Sequence, residues 1–180
     1  MITEMSQAKT TFDDAIRDAE ELLAHFDKAN TKPPPENAEV LKRAGLIMAF
    51  TAWETYVEDR VAEALNGRIG SEGDSPSARF VKKRLDEELK KFNNPNTEKT
   101  RRLFLDFLEV DVTKSWAWNQ YDCPKVKSTL DDLIVKRGEA VHRSKAPRNG
   151  TPAPHLVTRE DLKRAISFLK SLVAATEKAL

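Results

Sequence analysis

The ten residues from Ala44 to Trp53 restrict the possible folds of this chain more than any other stretch. Eight of them are apolar, and they read AGLIMAFTAW. A helix that is apolar around most of its circumference has to be buried on several sides, so the sequence predicts a central helix over about residues 36–66 with other elements packed around it. The run is far shorter than the roughly 18 apolar residues that a membrane span needs, and we therefore expect a soluble protein with no membrane partner.

The remaining apolar residues recur at helical spacing, and no stretch alternates with the period of a strand. Three consecutive prolines, Pro33 to Pro35, separate a first helix from the central one. The sequence thus predicts an all-α bundle of about five to six helices in a single domain, with residues 1–32 as an N-terminal helical arm and residues 36–180 as the main helical domain. Besides the central helix, helices are expected at about residues 3–29, 77–92 and 97–108, and two more begin near Pro124 and Thr158.

The segment 111–123 has no clear period and contains three aromatic residues, Trp116, Trp118 and Tyr121. Aromatic side chains beside lysines can stack on unpaired bases. In a connecting segment, however, such residues more often fill the core, and we expect core filling here.

Residue types that hold structural zinc are scarce, since the chain has one cysteine and three histidines. No glycine-rich phosphate-binding motif is present either. We therefore expect neither a metal nor another cofactor. The single Cys123 cannot form an internal disulfide, and the first residues lack the features of a secretory signal, so a cytoplasmic location is expected.

The helix that begins near Pro124 carries an arginine in an unusual position. Its apolar residues recur at steps of three and four and predict one buried stripe: Val126, Leu130, Leu133, Ile134 and Val141. Arg137 falls inside this stripe, and a guanidinium that faces a core is costly unless it is paired or opens onto a groove. His142 follows five residues later, about 140° around a straight helix, and Gly138 is expected to let the helix loosen between them.

This pattern resembles the motif of the HEPN superfamily (higher eukaryotes and prokaryotes nucleotide-binding domains). In that motif an arginine and a histidine are separated by four residues near the end of a helix, within an all-helical domain. The helix AGLIMAFTAWETYVEDRVAEAL is similar to the one that precedes this motif in the HEPN branch found in bacterial defence and RNA-repair contexts. The likeness covers roughly residues 36–180. It implies that Arg137 and His142 are catalytic and that Glu54, on the preceding helix, faces and supports them together with Glu139.

The chemistry that this resemblance implies is RNA cleavage without a metal. An imidazole whose pKa lies near neutrality can take a proton from a ribose 2′-hydroxyl or return one to the leaving 5′-oxygen, and a guanidinium can neutralise charge on the phosphorane. The products would end in 2′,3′-cyclic phosphate and 5′-hydroxyl groups. One histidine cannot easily act as acid and base in a single step, and the resemblance implies a homodimer that brings two motifs into one cleft.

The charge distribution favours RNA as the substrate. Residues 124–170 contain 11 Lys+Arg against 5 Asp+Glu, whereas residues 1–75 contain 8 against 15. A basic segment around the motif suits a phosphate backbone. We expect Arg143, Lys145 and Arg148, which follow the motif directly, to bind phosphates that flank the cleaved bond.

Two residues depart from the family pattern. Gly138 stands where HEPN proteins often have a polar residue after the motif arginine, so the resemblance implies that one substrate-orienting side chain is missing. Ser144 stands where the toxins that are silenced by nucleotidyl transfer have a tyrosine. The resemblance implies a toxin or phage-defence effector, and a protein antitoxin or regulator, rather than that modification, would control it.

Two alternatives stay open at this point. In the first, the charges only stabilise a helix: Asp132 pairs with Lys136, Glu139 pairs with Arg143, Arg137 pairs with Glu54, and His142 caps the helix C-terminus. In the second, the protein is a non-catalytic HEPN helical dimer that binds RNA, a nucleotide or a partner protein.

Overall fold

The computed structural model describes residues 5–29, 31, 35, 38–70, 75–142 and 157–180, with the exception of the His142 side chain. Within these ranges the chain forms α-helices and one short 3-10 helix, and the prediction of an all-α fold is confirmed. The segment expected at residues 97–108 is helical over the same residues. The elements are α1 Gln7–Ala29, α2 Glu39–Ile69, α3 Pro76–Leu89, α4 Thr97–Leu108, the 3-10 helix Val112–Ser115, α5 Cys123–His142 and α6 Arg159–Glu177.

Helix α2 is the centre of the bundle, as its apolar run predicts. All five other helices pack against it, and its side chains at Leu46, Ala49, Trp53 and Val57 have no exposed surface. Burial on several sides explains why the run is apolar around most of the helix. No helix in the described ranges combines the length and apolarity that crossing a bilayer requires.

An aromatic cluster fixes α2 against the elements around it. The Trp53 ring lies 5.7 Å from Tyr56 and 6.3 Å from Trp116, measured between ring centroids. Trp116 is fully buried and donates its indole N–H to Thr176 Oγ1 at 3.0 Å. Trp118 lies on Phe168 with a centroid distance of 5.5 Å. The prediction that these aromatic residues fill the core is therefore confirmed.

Helix α1 packs against α2 and α6 through buried residues that include Phe12 and Ile16. The first turn of α1 is tied to α2 by the Glu63 carboxylate, which accepts the backbone N–H groups of Gln7 and Ala8 at 3.1 and 3.0 Å. These two bonds satisfy donors that a helix start leaves free. The helix of the predicted N-terminal arm thus shares one hydrophobic core with the rest of the bundle.

The contact between α2 and α6 leaves no room for a side chain at Gly45. A Cβ atom built there would lie 2.7 Å from the Leu162 Cδ2 atom, and Leu162 is fully buried. We expect Gly45→Val to lower the free energy of unfolding by about 2 to 3 kcal/mol because it overpacks the core. Gly67, which has open space at the same point, is the control: Gly67→Val should change stability by less than about 0.5 kcal/mol. Urea denaturation checks both, and equal stabilities would contradict the packing.

Candidate active site on helix α5

The buried side of α5 includes one charged residue. Val126 and Leu130 are fully buried and Ala140 is 3% exposed, and Arg137 lies partly buried on the same line, one turn before Ala140. The prediction that Val141 belongs to this stripe is wrong, since Val141 is 42% exposed. Successive residues of a helix differ by about 100°, so Ala140 takes the core position and Val141 points away from it.

Among the described residues, Asn94 binds the Arg137 guanidinium. Its Nη1 atom donates to Oδ1 of Asn94 at 2.6 Å. Its Nε atom is buried and has no hydrogen-bond partner within the described part of the chain. A buried donor that lacks an acceptor costs about 1 to 3 kcal/mol. Within the described residues, the fold therefore leaves part of the hydrogen-bonding capacity of Arg137 unused.

Asn94 lies in the turn between α3 and α4, which has an uncommon backbone conformation. Its φ angle is 46°, in the left-handed region that asparagine tolerates better than most residues. The Asn96 N–H closes the turn by donating to the Asn94 carbonyl oxygen at 2.8 Å. Asn96 then caps α4 by accepting the Lys99 N–H at 2.9 Å. The sequence of the turn, Asn-Asn-Pro-Asn, thus determines the position of the Asn94 side chain.

Helix α2 holds this turn from one side. The Glu54 carboxylate accepts the Asn94 backbone N–H at 2.6 Å. The adjacent Trp53 donates its indole N–H to the Pro95 carbonyl oxygen at 2.9 Å, in a buried environment. Two consecutive residues of the central helix therefore fix the residue that binds Arg137.

Helix α5 holds the same turn from the other side. The Thr97 backbone N–H donates to Asp131 at 2.9 Å, and its hydroxyl donates to the Lys127 carbonyl oxygen at 3.1 Å. Helix α5 carries both of these acceptors and also Arg137. The two hydrogen bonds therefore fix the position of the start of α4 relative to the Arg137 guanidinium. Bonds from two helices therefore fix the position of the turn.

Glu54 therefore reaches Arg137 through an intermediate residue. No ion pair joins the two side chains in the described ranges, and Asn94 stands between them with its N–H on Glu54 and its side-chain oxygen on Arg137. The sequence pattern alone does not single out Asn94 as a site residue. Its spacing of 43 residues from Arg137 gives no local signal that would have revealed the contact.

The end of α5 is tied to the start of α6. Lys136 forms an ion pair with Asp161 at 2.6 Å, so the predicted pair of Lys136 with Asp132 is wrong. Burial raises the pKa of Asp161, but hydrogen bonds from Lys136 and Thr158 outweigh it and leave the pKa below its usual value. Asp161 also forms a capping box with Thr158, at the predicted start of this helix. One carboxylate thus joins two helix ends on either side of residues 143–156.

Helix α5 continues through Gly138 to His142, so the expected loosening at Gly138 does not occur. A Cβ at Gly138 would meet no atom within 4 Å, and the glycine is therefore not required by packing. His142 is the last residue of α5, and its side chain lies outside the described residues. The predicted RNA-binding residues Arg143, Lys145 and Arg148 also lie outside them, and so does the pair of Arg143 with Glu139. Glu139 lies on α5 and is partly buried.

Acidic residues follow Glu54 along α2 and repel one another. Burial raises the pKa of Glu58 to about 6, with further contributions from the charges of Glu54 and Asp59. The pKa of Asp59 is also raised, by burial and by the charge of Glu63. The negative charges of Glu58 and Asp59 are therefore unfavourable in the folded state.

Glu58 makes stability depend on pH. Between about pH 4.5 and 6 the folded protein holds this proton more tightly than the unfolded chain does, so the free energy of unfolding should fall as the pH rises through that window. The full shift corresponds to about 2 kcal/mol, and solvent screening of this partly exposed group reduces the expected change to about 1 kcal/mol. Glu58→Gln should remove that change in urea denaturation at pH 4.5 and 7. Glu21→Gln, at an exposed site on α1, should leave it unchanged, and an unaltered pH dependence in Glu58→Gln would refute the assignment.

The helical bundle and an arginine set into the buried side of a late helix, five residues before a histidine at its end, define an HEPN-superfamily domain. Comparison with protein-family models matches the RiboL-PSP-HEPN family over residues 13–180. Because the match covers most of the chain, the protein belongs to the RiboL-PSP-HEPN family, and the predicted superfamily is confirmed. Comparison with curated proteins and with solved structures finds no match.

Proposed function

We propose that this protein is a metal-independent endoribonuclease in which Arg137 and His142 act on the scissile phosphate of RNA. One observation carries the proposal: a partly buried guanidinium is fixed by Asn94 at 2.6 Å while its buried Nε atom has no partner in the described ranges. Such an arginine is costly for the fold. It is suited to a site where charge develops during a reaction.

The proposed reaction is an internal transesterification. The imidazole of His142 takes the proton of the 2′-hydroxyl, and the 2′-oxygen attacks the neighbouring phosphorus atom. The bond from phosphorus to the 5′-oxygen breaks, and that oxygen takes a proton from the histidine of a second subunit. Arg137 stabilises the negative charge of the phosphorane. Cyclic 2′,3′-phosphate and 5′-hydroxyl ends result, and all atoms of the reaction come from RNA and protons.

A homodimer through α5 would supply the second histidine. Val135 is 64% exposed and Val141 is 42% exposed, and both lie on the helix that carries the motif. Gly138 lies between them and leaves open space at its Cβ position. Neighbours three residues apart lie on one side of a helix, so these residues form an apolar strip that a second copy of α5 can cover.

The biological role proposed for this activity is that of a toxin or phage-defence effector in the cytoplasm, held in check by a protein antitoxin or regulator. The RiboL-PSP-HEPN match supports a ribonuclease-type activity, and the toxin or defence role rests on the resemblance to the HEPN branch found in bacterial defence contexts. Arg143, Lys145 and Arg148 are proposed to bind the phosphates that flank the cleaved bond.

Asn94 is expected to be a positioning residue for Arg137. Asn94→Gly keeps a backbone that adopts positive φ easily but removes the Oδ1 acceptor. We expect kcat to fall by about tenfold to a hundredfold, because a small displacement of a catalytic group is costly, while KM changes little. Asn94→Asp retains the acceptor and should restore most of the activity. If kcat and KM changed to the same extent in both variants, this role would be contradicted. An unchanged kcat in Asn94→Gly would also contradict it.

Dependence on the 2′-hydroxyl tests the proposed reaction. An RNA that the protein cleaves at one site is prepared with a 2′-O-methyl group on the nucleotide at the 5′ side of that bond. We expect cleavage at that site to stop while cleavage at unmodified sites continues. Continued cleavage of the modified bond would show that water, not the 2′-hydroxyl, is the nucleophile.

A further inference from the structure

A groove lies between α3 and α4 beside the turn that holds Arg137. It has a volume of about 210 Å³. Phe92, Leu103 and Phe107 give it an apolar lining, and Lys91 and Lys99 stand at its edge. Both phenylalanines are partly exposed, so their rings are accessible from the groove.

The two lysines give the groove a positive charge that its acidic residues do not neutralise. Its two acidic residues each face an arginine, since Glu88 pairs with Arg84 at 3.4 Å and Asp106 pairs with Arg102 at 3.4 Å. The lysines at positions 91 and 99 form no ion pair in the described part of the chain. A groove with aromatic lining and unpaired ammonium groups combines the two features that bind single-stranded RNA: a surface for a base and cations for the phosphates beside it.

A continuous series of contacts joins this groove to Arg137. Lys99 Nζ donates to the Asn93 carbonyl oxygen at 2.7 Å and to its side-chain oxygen at 3.1 Å. The next residue, Asn94, binds the Arg137 guanidinium. The groove and the guanidinium are therefore linked through two consecutive residues of one turn, Asn93 and Asn94.

We propose that this groove binds an unpaired base of the RNA near the cleaved bond, with Phe92 and Phe107 against the base and Lys91 and Lys99 on its phosphates. The proposal rests on the proposed ribonuclease function and deepens it, because it makes single-stranded RNA the substrate class. A base held in a duplex cannot enter a groove of this size. Cleavage is therefore restricted to loops and single-stranded segments.

The test measures binding without cleavage. A fluorescent single-stranded oligonucleotide with 2′-O-methyl groups throughout serves as the probe, and anisotropy gives its Kd at several salt concentrations. Lys91→Glu should weaken binding and reduce the slope of log K against log salt by about 0.7, the effect of one lost phosphate contact. Phe107→Leu should weaken binding by about tenfold, as the loss of a base stack does, with the slope unchanged.

Two matched controls make the same substitutions elsewhere. Lys114→Glu alters an exposed lysine of the 3-10 helix, and Phe80→Leu alters a phenylalanine of α3 that is 65% exposed. Both should bind as the wild type does. Thermal unfolding of Phe107→Leu shows whether a loss arises from the fold, and the exposed Lys91 provides a test that does not depend on packing.

The outcomes separate this proposal from the proposed function. If Lys91→Glu and Phe107→Leu bind the probe with wild-type affinity and salt dependence, the groove proposal is overturned even where His142→Ala abolishes cleavage. If both variants lose affinity as expected while the wild type cleaves no RNA, the groove binds RNA and only the catalytic proposal fails. Equal losses in the two controls would also overturn the groove, because they would reflect general charge or stability.

Discussion

His142→Ala should abolish RNA cleavage, with a fall in kcat of at least about a thousandfold. Proton transfer by a positioned imidazole contributes about a hundredfold to ten-thousandfold, and in the proposed dimer one substitution removes both the acid and the base. Arg137→Ala should also abolish activity, because the phosphorane loses its cationic partner. Single-turnover cleavage of labelled RNA gives these rates directly.

Matched substitutions show whether the losses are specific. His25→Ala alters an exposed histidine of α1, and Arg17→Ala alters an exposed arginine of the same helix. Neither should change cleavage at the motif by more than about twofold at 0.15 M salt, where exposed charges are largely screened. Wild-type activity in purified His142→Ala or Arg137→Ala would remove that residue from the mechanism.

Stability distinguishes a catalytic Arg137 from a structural one. Arg137→Met removes the hydrogen bond to Asn94 but also removes the buried Nε donor that has no partner in the described ranges. These effects oppose each other, so the free energy of unfolding should change by less than about 1 kcal/mol while activity is lost. Breaking a buried ion pair would instead cost about 3 to 5 kcal/mol. A loss of that size would favour the interpretation that Arg137 only stabilises the helix.

Val135→Asp should convert the dimer into monomers and abolish cleavage. The substitution places a carboxylate at one end of the proposed apolar strip on α5, where its burial without a partner would raise the Kd of dimerisation by more than about a hundredfold. Sedimentation velocity measures the dimer, and cleavage is followed in the same samples. Activity that returns as the protein concentration rises would link the two losses.

Val40→Asp is the matched control for this prediction. Val40 is 50% exposed and lies on α2, so the same change adds a charge at an exposed valine outside the proposed strip. It should leave both the dimer and the activity intact. A Val135→Asp protein that is monomeric and fully active would refute the composite site.

Much of the fold could be predicted because local chemistry specifies it. The limits of α4 follow from Asn96 and from the apolar spacing after it, and the start of α6 follows from a capping box between Thr158 and Asp161. The burial of α2 follows from its uninterrupted apolar run. These signals lie within a few residues of what they determine.

The site was predictable only in part, for physical reasons. Periodicity identified Arg137 as a charge on a buried line, but it could not distinguish Ala140 from Val141 as the next core residue, because both are apolar and differ by one step of the helix. The partner of Lys136 also escaped prediction, because Asp161 is distant in sequence whereas Asp132 is one turn away. Asn94 was missed for the same reason, since only the folded chain brings its turn to α5.

The most direct test of the central claim is cleavage of labelled tRNA and single-stranded RNA in excess EDTA, with end-group analysis of the products and His142→Ala alongside. We predict that the wild type alone cleaves and that the products carry 2′,3′-cyclic phosphate and 5′-hydroxyl ends. Wild-type cleavage that stops in EDTA, products with 5′-phosphate ends, or equal cleavage by His142→Ala would contradict the claim. A wild-type dimer that binds these RNAs and leaves them intact would instead identify a non-catalytic HEPN binding module.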